Sequence, residues 1–252
     1  MRILVCNDDG VKAPGLRLLA DAARTLSTDV WIIAPERKWT AASHQLTFDR
    51  TLTLSRIEDR VFACSGAPAD CVIAAMTIVM PEERPGLVLA GINDKANVGE
   101  DLAYSGTTAI AREAAFWGIP AISLSRTERS IAKSGDRSAV AQLLEVLWSC
   151  RATWAQEGCW LGVNLPASLP APIVSARLSR DKIGGAVDVL ERRTERTTFR
   201  LRRGRPGSHV AGDENAGLAA GAITVACFSW HAQVPLAADA LNAPGGSAKM
   251  PD

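Results

Sequence analysis

The 252-residue sequence predicts an α/β protein, a Rossmann-like three-layer and mostly parallel sheet with a C-terminal β-hairpin extension. Three observations carry this expectation. Apolar runs without alternation open the chain at Met1 to Cys6 and recur at Asp29 to Ala34 and Leu87 to Ala90, as strands buried on both faces require. Polar loops and stretches at helical spacing separate these runs at βαβ distances. Between Ser175 and Arg205 the pattern changes to alternating Arg/Glu and apolar residues, which suits a hairpin.

In chain order, the first strand stops at Asn7-Asp8-Asp9-Gly10, and Ala13-Pro14-Gly15 leads into a helix over 16–26 with Leu19, Ala22, Ala23 and Leu26 on one face. The second strand ends at Pro35 and is followed by the polar segment Glu36 to His44. Residues 47–56 and 60–65 alternate and predict a pair of half-exposed strands. Gly66-Ala67-Pro68-Ala69-Asp70 turns the chain into an apolar helix over 71–80, with Asp70 as its cap. After the strand at 87–90 comes the densest polar stretch of the protein, Gly91 to Asp101. Tyr104-Ser105-Gly106-Thr107-Thr108 then opens an alanine-rich helix to Trp117, closed by Gly118. A core helix is expected over 137–150, with Trp148, like Trp117, packing rather than binding. The expected organisation is one domain over 1–230, a protruding hairpin or oligomerisation segment near 175–205, and a loosely held tail over 231–252 rich in Ala, Pro, Gly and Ser.

Composition excludes several functions. Lys+Arg 28 against Asp+Glu 27 leaves a net charge of +1, so nothing in the whole-protein balance favours a nucleic-acid polymer or an anionic membrane as partner. The basic residues of 192–203 are interspersed with Glu, which suits a solvated or intersubunit face. The chain enters a strand directly, without a signal-peptide pattern, and no uncharged apolar run reaches ~18 residues; a cytoplasmic protein is expected. The six cysteines form no Cys-x-x-Cys pair and the three histidines no ligand pair, so reduced thiols are expected and a histidine-based transition-metal site is not.

Two features point to chemistry. Asp8 and Asp9 place like charges side by side at a strand end, which either a hard divalent cation compensates or a helix cap explains. Ser105-Gly106-Thr107 offers backbone N–H groups, two hydroxyls and the positive end of a helix dipole, suited to a phosphate or simply to a Ser/Thr cap. In doubly wound folds such loops gather beyond the carboxyl ends of the strands, where an acidic pair, a hydroxyl-rich loop and an amide-rich loop would form a metal-plus-phosphate constellation.

Asn7-Asp8-Asp9-Gly10, Ala34-Pro35 with the loop Thr40 to Ser43, Gly66-x-Pro-x-Asp-Cys, Gly91-Ile92-Asn93 with Asn97, and Tyr104-Ser105-Gly106-Thr107 resemble the ordered motif set of the SurE family of metal-dependent 5′/3′-nucleotidases. Val163-Asn164-Leu165-Pro166 and the segment Gly212 to Val225 extend the resemblance more thinly. It implies a SurE-like fold and that Asp8, Asp9, Thr40 and Asn93 hold one Mg²⁺ or Mn²⁺ per subunit. Asp8 and Asp9 would be catalytic, and Asn97, Ser105, Gly106, Thr107 and Lys95 would take the phosphate. The implied activity is phosphomonoester hydrolysis through a metal-activated water on a small-molecule substrate, in a homodimer or homotetramer.

The chain departs from the pattern at three places. Thr40 stands where the family uses serine, Ala41 where it usually has glycine, and Asp94-Lys95 follow Asn93 where glycine is usual two residues on. Lys95 is open to two readings, a contact to the substrate phosphate or an ion pair with Asp94 or Glu100. These changes leave open a phosphatase for a modified nucleotide or sugar phosphate, and a degenerate binding protein. A haloacid-dehalogenase phosphatase is disfavoured, because Gly10 and Val11 occupy the positions where its second aspartate would stand.

Overall fold

The computed structural model describes residues 1–127, 135–180, 186–202 and 210–231. The apolar opening run forms β1 (Ile3–Cys6) with all four side chains buried, because it lies mid-sheet with parallel neighbours on both sides. Pro14 starts α1 (Pro14–Ala23), and Gly15 lets it approach closely: a Cβ there would stand 2.2 Å from the Ile92 carbonyl oxygen. Then follow β2 (Val30–Pro35), β3 (Leu54–Glu58), β4 (Val61–Cys64), α2 (Pro68–Ala74), β5 (Leu87–Asn93), α3 (Asp101–Tyr104), α4 (Gly106–Phe116), β6 (Ala121–Arg126) and α5 (Asp136–Ser149). The second half adds β7 (Cys159–Leu165), β8 (Ile173–Ser175), β9 (Val187–Arg192), β10 (Thr197–Leu201), α6 (Glu214–Ala219) and β11 (Ile223–Ser229).

The large sheet runs β3-β4-β2-β1-β5-β6-β7-β11-β8, with β4 through β7 parallel to their neighbours and antiparallel pairing confined to β3–β4 and β7–β11. Strand pleat divides its side chains between two cores. Ile3, Val5, Leu87, Leu89, Ile122 and Leu124 pack with α1 and α5 on one face. Leu4, Cys6, Val88, Ala90 and Ala121 pack with α2 and α4 on the other, completing three layers. The chain winds outward from β1 through β2 to β4 and then crosses back to β5, so winding reverses between β1 and β5. That reversal opens the crevice in which open α/β sheets bind ligands.

The structure corrects several expected elements. Residues 47–53 are not a strand: Asp70 Oδ1 accepts from Thr47 N at 3.0 Å and Ser65 Oγ from Thr53 N at 2.9 Å, side-chain acceptors standing in for ladder partners. The helix expected over 71–80 is α2 followed by a π-turn over Ala75–Val79, where Thr77 Oγ bonds back to the Ile73 carbonyl at 2.7 Å. Strand β5 runs past Ala90 to Asn93 through an irregular register, with Gly91 at φ +132° in close contact with the Leu124 carbonyl. The expected hairpin is present as β9 and β10 in a two-stranded antiparallel sheet. Asp70 is not the N-cap expected of it: α2 starts at Pro68 with Ala67 as N-cap, and Asp70, at the third helical position, reaches back so that its Oδ2 accepts from Ala67 N at 2.8 Å. Of the expected tail, residues 232–252 lie outside the described residues.

Candidate active site

The acidic turn after β1 is built by its own side chains. Asn7 accepts from Gly10 N at 3.1 Å and donates to the Gly10 carbonyl at 3.0 Å, closing the loop so that Asp8 and Asp9 sit at its apex. Asp8 is 6% exposed, and its Oδ1 accepts from Thr107 Oγ at 2.5 Å. Burial pushes the Asp8 carboxyl up to about 6; the Thr107 hydrogen bond pulls it down, and the neighbouring Asp9 charge raises it further. The Ser-Gly-Thr step lies directly against this aspartate, since a Cβ on Gly106 would fall 2.8 Å from Asp8 Cβ and 3.0 Å from Oδ2. Ser105 is also the N-cap of α4, its Oγ accepting from Thr108 N at 3.0 Å, so the cap reading holds for Ser105 while Gly106 and Thr107 face the acidic turn.

The amide loop joins the same place. Asn97 donates to Ser105 Oγ at 2.8 Å and to Ser125 Oγ at 2.9 Å, linking the ends of β5, β6 and α4. Asn164 on β7 clasps its backbone in both directions, accepting from Asn97 N at 2.9 Å and donating to Asn97 O at 3.0 Å. Beyond it, Glu214 Oε2 accepts from Gly99 N at 2.9 Å and Ser179 N at 3.4 Å. Sequence reasoning quoted the segments holding Asn164 and Glu214 but gave these residues no role. Lys38 likewise lay unremarked within the polar segment Glu36 to His44, and Ser125 carried no signal in the sequence.

Asn93 closes β5 and spends its amide nitrogen on the Lys95 carbonyl at 2.7 Å. Lys38 forms an ion pair with Asp9 and reaches Asp94 Oδ2 at 3.0 Å. Thr40, in the loop that follows β2, is exposed and makes no hydrogen bond among the described residues. The next residue, Ala41, holds φ +54°, a left-handed conformation that accounts for glycine being usual there. Its loop is docked by Ser43, whose N–H and Oγ donate to the Tyr104 and Ala103 carbonyls at 3.0 and 2.7 Å. Lys95 is exposed, and the ion pair considered for it is not formed: Asp94 is paired with Lys38 and Glu100 with Arg180.

The residues fit a hard divalent cation in kind. Two crowded carboxylates, one buried and with a raised pKa, are already partly compensated by an ammonium on Asp9, and an Asn oxygen stands at the neighbouring strand end. Among the described residues no three His, Cys, Asp or Glu side chains cluster as a metal site, so amide oxygens, hydroxyls or waters would complete the shell. That composition suits Mg²⁺ or Mn²⁺ over zinc.

A family model described as Survival protein SurE matches residues 3–184. The chain belongs to the SurE family. Relatives named 5′-nucleotidase SurE, and so phosphoric monoester hydrolases, include that of Paramagnetospirillum magneticum, 38% identical over 78% of this chain and 76% of its own. That of Brucella suis is 38% identical over 89% and 91%. The crystal structure of the SurE protein from Aquifex aeolicus superposes with a TM-score of 0.78 at 27% identity, covering 91% of this chain and 93% of the other. A mostly parallel sheet with an added antiparallel hairpin is thus the fold of a SurE family member.

Proposed function

We infer that the protein is a divalent-cation-dependent phosphomonoesterase hydrolysing nucleoside 5′- and 3′-monophosphates to nucleoside and phosphate. The observation that carries this is the contact of Asp8 with Gly106 and Thr107, which puts the acidic turn and a helix N-terminus in one crevice. In this reading Asp8, Asp9, Thr40 and Asn93 hold Mg²⁺ or Mn²⁺. A bound cation supplies charge neutralisation at the phosphoryl oxygens and a water of lowered pKa. Thr107 keeps Asp8 Oδ1 engaged and so orients Oδ2. The N–H groups at the start of α4 receive the phosphoryl charge, and Asn97 fixes Ser105 for that task. Lys95, exposed on the same rim, is free to meet the substrate phosphate.

The reading extends to a homodimer or homotetramer in the cytoplasm. Val189 faces Phe199 and Val187 faces Leu201 across the hairpin, and all four are 45–60% exposed. Such an apolar stripe favours a second copy over a nucleic-acid polymer. No helix among the described residues is long and apolar enough to cross a membrane.

The test is a panel of nucleoside 5′- and 3′-monophosphates and sugar phosphates, each assayed with Mg²⁺, Mn²⁺ or a chelator. Cation-dependent release of phosphate from nucleotides is expected, and Asp8→Asn is expected to abolish it with the fold intact. Turnover that survives chelation would overturn the mechanism. Preference for sugar phosphates would transfer the activity to that class, and binding without turnover would leave a degenerate binding protein.

A further inference from the structure

Lys38 holds a position that the proposed chemistry does not use. Its ammonium lies between two carboxylates, paired with Asp9 and 3.0 Å from Asp94 Oδ2. The backbone fixes it there. Trp39 N donates to the Asp8 carbonyl at 2.7 Å, and the two turns touch closely enough that a Cβ on Gly10 would lie 3.3 Å from the Arg37 carbonyl carbon. Asp94 directly follows Asn93, so the second carboxylate is carried by the same strand end as the candidate amide ligand.

We propose that Lys38 is a built-in counter-cation of the acidic turn: its ammonium occupies Asp9 until a divalent cation binds, and Asp94 is the seat to which it then withdraws. An ammonium and a divalent cation cannot share one carboxylate without strong repulsion. Metal binding therefore includes the displacement of Lys38, and the Lys38–Asp94 pair sets the affinity. The proposal rests on Asp8 and Asp9 being metal ligands.

Calorimetric titration of Mn²⁺ into the metal-free protein tests it. Lys38→Met keeps the aliphatic stem and is expected to tighten Mn²⁺ binding by about two- to fivefold, the scale of a partly exposed ion pair that no longer has to break. Lys95→Met removes the same formal charge from the same rim without touching Asp9 and is expected to change affinity less. Asp94→Asn is expected to weaken binding, and to weaken it less once Lys38→Met is also present. Wild-type affinity in Lys38→Met, or an equal gain in Lys95→Met, would overturn the counter-cation role while leaving the metal site standing. If neither wild type nor Lys38→Met binds Mn²⁺, the metal reading falls and this inference with it.

Discussion

Thr107 donates its hydroxyl to Asp8 at 2.5 Å across 99 residues of sequence, and both side chains are buried. The bond ties the turn after β1 to the first turn of α4, joining the two halves of the proposed site. A hydrogen bond to a charged group is worth about 1.5–3 kcal/mol. Thr107→Val keeps the shape and removes the donor, so nucleotide turnover should fall by about one to two orders of magnitude. Thr107→Ser should recover most of it. Steady-state kinetics checks both, and unimpaired turnover in the valine variant would contradict the role given to this bond.

Gly106 is where α4 meets Asp8. Alanine there gains about 1 kcal/mol of helix propensity. Its methyl group, however, would meet Asp8 Cβ at 2.8 Å and Pro68 Cγ at 3.0 Å. Overpacking of this kind costs about 1–3 kcal/mol. Gly106→Ala should therefore be net destabilised in urea titrations and impaired in turnover; a stabilised, fully active variant would show that the contact is loose.

Arg126 and Asp136 form an ion pair at 2.6 Å with both side chains 2% exposed, and Arg126 also donates to the Ala167 carbonyl at 3.2 Å. Removing one partner strands a buried charge, at about 3–5 kcal/mol. Asp136→Ala should lose that much by denaturant unfolding. Replacing both residues by apolar ones (Arg126→Met with Asp136→Leu) should recover most of it, because no charge is then left unpaired. A double variant as unstable as the single one would refute this account.

Glu214 gives a pH dependence with a definite sign. Burial raises its carboxyl above the ordinary value of 4.5, against the hydrogen bonds from Gly99 and Ser179 and with the charges of Asp213 and Asp101 adding to the rise. The folded protein then binds this proton more tightly than the unfolded chain, so the residue's contribution to stability is lost as pH rises from 4.5 through the raised value. Glu214→Gln lacks that loss and can still accept a hydrogen bond through its oxygen. Its urea midpoint relative to wild type should climb across this window; a constant or shrinking difference would contradict the raised pKa.

How much of this was legible in the sequence follows the range of the interactions. The unalternating run of β1 and the loop breaker at Pro14 and Gly15 are local signals, and the motif order placed Asp8 and the Ser105 to Thr107 step correctly in one crevice. The π-turn at Ala75–Val79 was hidden because its apolar pattern matches that of an ordinary helix. Residues 47–53 alternate like a strand, but their acceptors come from Asp70 and Ser65, which no period reveals. Lys38 lay inside a polar stretch with nothing to mark it; only the fold brings it to Asp9 and to Asp94, 56 residues away. Lys95 drew attention as a departure, yet its expected partners were claimed by Lys38 and Arg180.

The clasp of Glu214 on Gly99, 115 residues apart, has a consequence for synthesis on the ribosome. The acidic turn emerges first, and its partner helix α4 soon after. The loop carrying Asn97, though, gains its grip from Asn164 and then from Glu214, both made much later. Since nascent chains acquire structure from the N-terminus onward, a nascent chain holds every proposed ligand long before the loop between them is secured. The proposed site is thus secured only when α6 arrives, and a nascent chain stalled short of residue 214 would be furnished for chemistry but not yet set for it.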